Sequence, residues 1–128
     1  MIYKIASRTE WQAAEEAGQF DGSAVDLADG FIHFSTAEQM KETAAKHFSG
    51  QSDLLLIAID DSQLDIIWEP SRGGALFPHL YQPLPLSAVA QSWPLPLGPD
   101  GVHQFPDESV LRLAHIVFSI KNREQSRK

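Results

Sequence analysis

Proline is confined to one stretch of this 128-residue chain, because all eight prolines lie between Pro70 and Pro106. Proline has no backbone N–H, so it interrupts helices and the interior of sheets. We therefore expect regular helices and strands before residue 70, and loops, edges and short extended pieces between residues 70 and 106. After Pro106 helical spacing returns, which predicts a C-terminal helix that packs on the domain or on another chain. Its apolar stripe comprises Val110, Leu113, Ala114 and Val117, widened by Leu111 and Phe118.

Length and composition predict a single globular domain. Hydrophobic residues make up 43% of the chain and charged residues 21%, which is ordinary for a folded protein. The chain has no cysteine, so disulfides and thiolate metal sites are excluded. No signal-peptide pattern or membrane-spanning run is present, and we expect a cytoplasmic protein with no membrane partner. We expect one α+β domain over residues 1–106, followed by a C-terminal helix and basic tail over 107–128.

The charge is distributed unevenly along the chain. The net charge is −7, but residues 119–128 carry +3, which leaves −10 on residues 1–118. A body of that charge repels phosphate backbones, so we do not expect a long nucleic acid as a partner. A small-molecule ligand remains compatible with this charge, since the electrostatic potential inside a pocket can differ in sign from the net charge of the chain.

Two signals define elements of the first half. Ser7 and Glu10 have the spacing of a capping box, which predicts a helix over residues 8–17 that ends at Gly18. The continuous apolar run from Leu54 to Ile59 is too short for a buried helix and predicts a central strand.

The segment from Phe31 to Thr36 is the first candidate functional site. Alternation along a strand places Phe31 and His33 on one face. Ser35 and Glu38 have capping-box spacing, which predicts a helix from Thr36 to about residue 47. A strand that turns directly into a helix at Ser35-Thr36 would present N–H groups and hydroxyls to an anion. In the alternative interpretation, Ser35 only caps the helix and His33 is a buried, satisfied histidine.

A second candidate cluster follows in the proline-containing half. Arg72 is suited to bidentate recognition of a carboxylate or phosphate, and two glycines follow it. His79 and Tyr81 lie in an extended segment after Pro78, where they could form a binding wall with Glu69 nearby. Alternatively, Arg72 pairs with Glu69 on the surface, and His79 and Tyr81 only pack the loop.

Familiar catalytic and metal motifs are absent from the sequence. It contains no phosphate-binding glycine loop, no nucleophile elbow and no histidine pair at i, i+4. We therefore predict no metal. A third hypothesis is a metal-dependent hydrolase that uses His33, His79 and Glu69.

Four stretches resemble a bacterial family of domains of unknown function, number nine hundred and fifty-two in that series. They are IYKIASRTEW, DLADGFIHFSTAEQ, TAAKHFSGQSDLLLIAID and WEPSRGGALFPHLYQPLPL, and they span residues 2–105. That family in turn resembles the ADP-ribosyltransferase superfamily, which includes the RNA 2′-phosphotransferases. The resemblance implies an α+β fold with a small split or curved sheet, mixed or antiparallel, two N-terminal helices and a C-terminal helix.

The same resemblance implies a nucleotide-related function. His33 and Ser35 would line a pocket for NAD or an ADP-ribose-like ligand, and His79 would lie where these transferases often carry a catalytic glutamate. The chain departs from the pattern because no clear glutamate occupies that position, and its first strand offers Lys4 and Ser7 in place of His or Arg.

Two functions therefore follow as hypotheses. The first is a small transferase or hydrolase in which His33, His79 and Tyr81 are catalytic, with ligand contacts from Phe31, Ser35, Thr36, Glu69 and Arg72. The alternative is a non-catalytic ligand-binding module, or a homodimer formed through the C-terminal helix.

Overall fold

The computed structural model describes residues 1–126, apart from the side chains of Arg72 and of residues 122–126. These residues form four α-helices and eight strands, and the last five strands follow one another without an α-helix between them. The helices are α1 (Arg8–Ala17), α2 (Ala24–Asp29), α3 (Met40–His47) and α4 (Glu108–Ser126). The strands are β1 (Ile2–Ser7), β2 (Gln19–Phe20), β3 (Ile32–His33), β4 (Leu54–Ile59), β5 (Ile66–Pro70), β6 (Leu76–Leu80), β7 (Leu84–Pro85) and β8 (Val89–Leu95).

The first sheet has the order β1–β4–β8, with antiparallel pairing throughout. Its central strand is β4, and all six of its residues are buried. Leu55, Ile57 and Ile59 join the cluster that contains Trp11 of α1, while Leu56 joins the cluster that contains Met40 of α3. Because apolar residues cover both faces, the strand is apolar at every position, as the sequence predicts.

A second three-stranded sheet has the order β3–β6–β5, so β6 is its central strand although it contains Pro78. The short extended pieces expected between residues 70 and 106 are therefore present, but one of them is the centre of a sheet and not an edge. Phe34 donates its N–H to the Pro78 carbonyl at 3.0 Å, but proline has no N–H to return. After Phe34 the chain no longer pairs with β6. Ser35 pairs instead with Tyr3 of β1, through two backbone hydrogen bonds of 2.8 and 2.9 Å. Residues 32–35 thereby connect the two larger sheets, and β2 pairs with β7 in a separate ribbon.

The local helix signals have different outcomes. The capping box of Ser7 and Glu10 is present, and α1 ends at Gly18 as predicted. The prediction for α3 is wrong at its start, because α3 begins at Met40 and Thr36 exchanges hydrogen bonds with Gln39. Ser35 is unavailable as a cap because its backbone is paired with β1 and its hydroxyl lies 2.9 Å from that of Thr43.

The architecture is α+β with antiparallel sheets, as the sequence predicts at that level. No helix within residues 1–126 is long and apolar enough to cross a bilayer. The predicted basic tail falls largely outside the described residues, because Arg127, Lys128 and the side chain of Arg123 are not among them.

Candidate functional site

Helix α2 was not predicted, and it positions the first half of the site. Ser23 caps it through a complete capping box with Asp26, and Gly30 ends it with a φ of 87°. This left-handed conformation suits glycine and turns the chain from α2 into Phe31 and β3. The turn brings the acidic face of α2 against the histidine of β3.

Asp26 is the centre of a buried hydrogen-bond network. Its Oδ1 accepts from the His33 backbone N–H at 3.1 Å and lies 2.6 Å from His33 Nδ1. Its Oδ2 accepts from Lys4 Nζ at 2.8 Å and from the Ser23 N–H at 2.9 Å. Burial alone would raise the pKa of the Asp26 carboxyl, but the bonds from His33 and Lys4 outweigh it and hold that pKa well below its ordinary value. Asp26 is therefore an ionised anchor for the imidazole.

Lys4 provides the cation that this buried carboxylate requires. Its side chain is 6% exposed, and its ammonium also donates to the His33 carbonyl at 2.9 Å. Burial lowers the pKa of Lys4, and the adjacent Asp26 opposes that lowering. Lys4 thus holds both the carboxylate and the strand on which His33 lies.

The second nitrogen of His33 faces the edge of the site. Nε2 lies 2.9 Å from Asp29 Oδ2, at the end of α2. The Asp29 side chain is 49% exposed and that of His33 is 35% exposed, so solvent reaches this contact. A carboxylate oxygen therefore occupies the position from which a ligand oxygen could accept a hydrogen bond from Nε2.

A second carboxylate–histidine pair lies on the neighbouring strands. Glu69 of β5 places Oε1 2.9 Å from His79 Nδ1, and the Tyr81 hydroxyl donates to the same oxygen at 2.6 Å. The hydrogen bonds from Tyr81 and His79 lower the pKa of Glu69, and the bond to Glu69 raises the pKa of Tyr81. His79 is buried, whereas the Tyr81 side chain is half-exposed. The pair therefore extends from the interior of the sheet to the surface.

Four rings bring the two pairs together. His33 and His79 are directly opposite each other across β3 and β6, with ring centroids 5.5 Å apart. The Phe31 ring lies 4.6 Å from His33, 4.2 Å from His79 and 5.1 Å from Tyr81. These separations are typical of contacting aromatic rings. Phe31 is thus the wall that the two pairs share.

The arrangement is suited to acid–base chemistry. In each pair a carboxylate accepts from Nδ1 and sets the orientation of the ring, which directs Nε2 away from the carboxylate. Such an imidazole can exchange a proton with a bound molecule at Nε2. The flat rings of Phe31 and Tyr81 offer apolar faces to a heterocycle.

The structure brings five of the predicted site residues together: Phe31, His33, Glu69, His79 and Tyr81. The predicted helix N-terminus at Ser35-Thr36 is not formed there, since α3 begins at Met40. The Ser35 hydroxyl is buried against Thr43, and Thr36 bonds to Gln39. The Arg72 side chain lies outside the described residues.

Three participants were missed as site residues by the sequence analysis: Lys4, Asp26 and Asp29. Ser23 and Asp26 have the same spacing as Ser7 and Glu10, which was a signal for α2. Lys4 interrupts an apolar strand, and a lysine that is buried at such a position needs an acidic partner. Within the described part of the chain, no three histidine or acidic side chains form a group that could hold a metal ion.

Fold and site together define a class, namely a small antiparallel α+β domain with two carboxylate–histidine pairs around one aromatic wall. The chain belongs to the family described as "Protein of unknown function (DUF952)", whose model matches residues 5–92.

Solved structures of a bacterial relative support this assignment. The crystal structure of protein CC0527 from Caulobacter crescentus is 58% identical, with a TM-score of 0.77 over 80% of this chain and 92% of that one. The solution NMR structure of CC0527 is 59% identical, with a TM-score of 0.73 over 80% and 90% of the two chains. None of the curated proteins matches the chain.

Proposed function

We propose that this protein is a small enzyme that acts on a nucleotide or NAD-derived molecule, as a transferase or hydrolase of the ADP-ribosyltransferase-like type. The observation that carries the proposal is the pair of carboxylate-held histidines, His33 and His79, whose rings lie side by side and both contact the Phe31 ring. A carboxylate orients each histidine for proton transfer, and the Phe31 ring beside them offers a stacking surface.

The local charge favours a ligand that carries or develops positive charge. Three carboxylates contact the two histidines: those of Asp26, Asp29 and Glu69. The positive charge of Lys4 is paired with Asp26. A pyridinium ring such as that of NAD could lie against Phe31 or Tyr81, where aromatic faces and carboxylates attract a cation. Carboxylates are also the groups that stabilise positive charge on a ribose carbon in a transition state.

Hydrolysis of such a ligand divides the roles as follows. The bond between ribose C1′ and the pyridinium nitrogen breaks, and its electron pair stays on the ring nitrogen, which becomes neutral. Water forms the new bond to C1′ and passes its proton to Nε2 of His79. Glu69 stabilises the charge on the ribose, and Nε2 of His33 donates to a ribose hydroxyl after Asp29 moves aside.

Ligand binding without turnover is the second candidate function. It is favoured by the contact of His33 with carboxylates at both ring nitrogens, since a histidine so engaged can serve binding without transferring a proton. The two candidates share a site and differ only in whether a bond is broken.

The test is a thermal-shift and calorimetric screen against NAD, ADP-ribose, nicotinamide, nucleoside 2′-phosphates and AMP. A true ligand stabilises the fold by about 2.7 kcal/mol when present at 100 times its dissociation constant. We expect a ligand whose binding is lost in His33→Ala and kept in His115→Ala, an exposed histidine on α4. If no molecule in the panel stabilises the protein, the proposal that it acts on a nucleotide or NAD-derived molecule fails.

Turnover then separates the candidates. Release of nicotinamide from NAD is followed by chromatography for the wild type and for Glu69→Gln. Loss of one positioned electrostatic group typically costs about 10²- to 10³-fold in kcat, so we expect that reduction with binding retained. Binding without release in the wild type would leave the binding module as the function.

A further inference from the structure

Helix α4 has a second apolar face that the domain leaves uncovered. One side of the helix packs on the domain, where Leu111 is buried with Tyr3 and Ile5. The other side exposes five apolar side chains that are 41–61% accessible. They are Val110, Leu113, Ile116, Val117 and Ile120.

The spacing of this face is that of a coiled-coil seam. Val110, Leu113, Val117 and Ile120 follow one another at intervals of three, four and three residues, the alternation of core positions in a heptad repeat. Ile116 flanks the seam at its middle. Such a stripe is what one helix requires to pack along another, whereas a helix that packs only on its own sheet needs a single face.

A groove continues the seam toward the first sheet. It has a volume of about 270 Å³ and is bordered by Ala90, Gln91 and Trp93 of β8 on one side. Val110, Leu113 and Val117 of α4 form the other side. Apolar side chains arriving along α4 would therefore contact β8 as well as the helix.

Charge selects the direction in which a second helix can lie. Asp107 precedes the first turn of α4, and exposed Lys121 lies two heptads later on the same edge of the seam. In a parallel copy this edge faces the opposite edge of the partner helix, so Lys121 would lie beside Ile116 of the other chain and find no acidic partner. An antiparallel copy places the Asp107 carboxylate of each chain beside the Lys121 ammonium of the other, so opposite charges meet at both ends.

We propose that α4 is a dimerisation element that packs antiparallel against α4 of a second copy of this chain. The two-fold axis passes level with residue 115, a position on the side of the helix opposite the seam. Val110 of each copy contacts Ile120 of the other, and Leu113 contacts Val117. The family model matches residues 5–92, so this interface belongs to a part of the chain beyond the matched domain.

The oligomeric state tests the interface. Sedimentation velocity over a concentration series is expected to show the 14.2 kDa chain becoming a species of twice that mass. Leu113→Glu, at a side chain 61% exposed, is expected to stay monomeric while its circular dichroism is unchanged. His115→Glu changes another exposed position of α4 and is expected to dimerise as the wild type does. A wild type that is monomeric throughout, or a Leu113→Glu variant that still dimerises, overturns the proposal.

Cysteine cross-linking tests the direction, because the chain has no cysteine of its own. Under mild oxidation, a mixture of Val110→Cys and Ile120→Cys chains is expected to form mixed disulfide dimers. Each variant alone is expected to remain largely uncrosslinked, since its cysteines lie at opposite ends of the interface. Dimers formed readily by either variant alone would show a parallel arrangement and overturn the antiparallel one.

Discussion

At the scale of single residues, the most consequential contact is between Lys4 and Asp26, which are 6% and 2% exposed. Two charges removed from water are tolerated because each satisfies the other and both bond to the segment that carries His33. The ion pair therefore acts chiefly by setting the position of His33.

Removing one partner of this pair is expected to lower the stability of the fold strongly. Asp26→Asn leaves the Lys4 ammonium buried beside a neutral group, which typically costs about 3–5 kcal/mol. The exposed pair of Arg8 and Asp53 is the matched control, and Asp53→Asn is expected to cost at most about 1 kcal/mol. Urea unfolding at neutral pH measures both, and equal losses would contradict the central role of Asp26.

Acid stability follows from the same carboxylate. The pKa of Asp26 is lower in the folded protein than its ordinary value of 3.8. Between those two pKa values the unfolded chain binds more protons than the folded protein. The contribution of the ionised Asp26 carboxyl to the free energy of unfolding is therefore present above pH 3.8 and is lost as the pH falls below it. Urea unfolding is expected to show that the free energy of unfolding falls less between pH 5 and pH 3 for Asp26→Asn than for the wild type. Parallel losses would assign the acid sensitivity to other groups.

Tyr81 is expected to tune Glu69 in a measurable way. The hydroxyl of Tyr81 is the largest cause of the lowered pKa of Glu69, ahead of His79. Tyr81→Phe removes that donor, and we expect the Glu69 pKa to rise toward its ordinary value of 4.5. Carboxyl-carbon NMR titration measures it, with Tyr3→Phe as the control because Tyr3 lies on β1. An unchanged Glu69 titration would show that the hydrogen bond is not maintained in solution.

At the scale of elements, two capping boxes of the same design perform different tasks. Ser7 begins α1, which packs Trp11 and Ala14 into the core, whereas Ser23 begins α2, which presents Asp26 to the site. Loss of a serine cap costs about 0.5–2 kcal/mol in either helix. The two caps differ in the residues that their helices position, which are core side chains in α1 and Asp26 in α2.

This difference makes a matched pair of variants. Ser7→Ala and Ser23→Ala are both expected to lower the free energy of unfolding by about 1 kcal/mol. Only Ser23→Ala is expected to shift the imidazole NMR signals of His33, because it loosens the helix that carries Asp26 and Asp29. Shifts of His33 in both variants would mean that α2 is not the element that positions the imidazole.

The elements also show where sequence patterns were sufficient. The helix over residues 8–17 and the strand over residues 54–59 were predicted because capping and burial act within or near each segment. The start of α3 was predicted wrongly because Ser35 bonds to β1, a partner 32 residues away in the chain. A capping pattern describes only local competition, so such a distant partner can overrule it.

At the scale of the whole molecule, the strand pairing separates the site from α4. The site lies on β3, β5 and β6, while α4 packs on β8, with β4 and β1 between them. The site and the proposed dimer interface therefore occupy opposite ends of the connected sheets. Changes at one end are expected to leave the other intact.

Removal of residues 107–128 tests this separation. The shortened chain is expected to fold and to lose about 2–5 kcal/mol of stability, because the buried Leu111 side chain is removed from the core. The imidazole NMR signals of His33 and His79 are expected to keep their positions. Displaced imidazole signals would instead show that α4 and the site form one cooperative unit.

The sequence by itself determined the features that depend on nearby residues. These are the α+β class, the capped helix α1, the buried strand β4, and the shared strand face of Phe31 and His33. It also indicated Glu69, His79 and Tyr81 as a cluster, because a strand face and a proline-bounded segment can be inferred locally.

Only the tertiary structure decided which of these residues meet. The register of β3 against β6 placed His33 opposite His79, and the fold of β1 against residues 32–35 brought Lys4 to Asp26. These contacts join positions 22 to 46 residues apart in the chain. They follow from the simultaneous burial of both sheet faces. That burial depends on several segments together, so it cannot be inferred from any one of them.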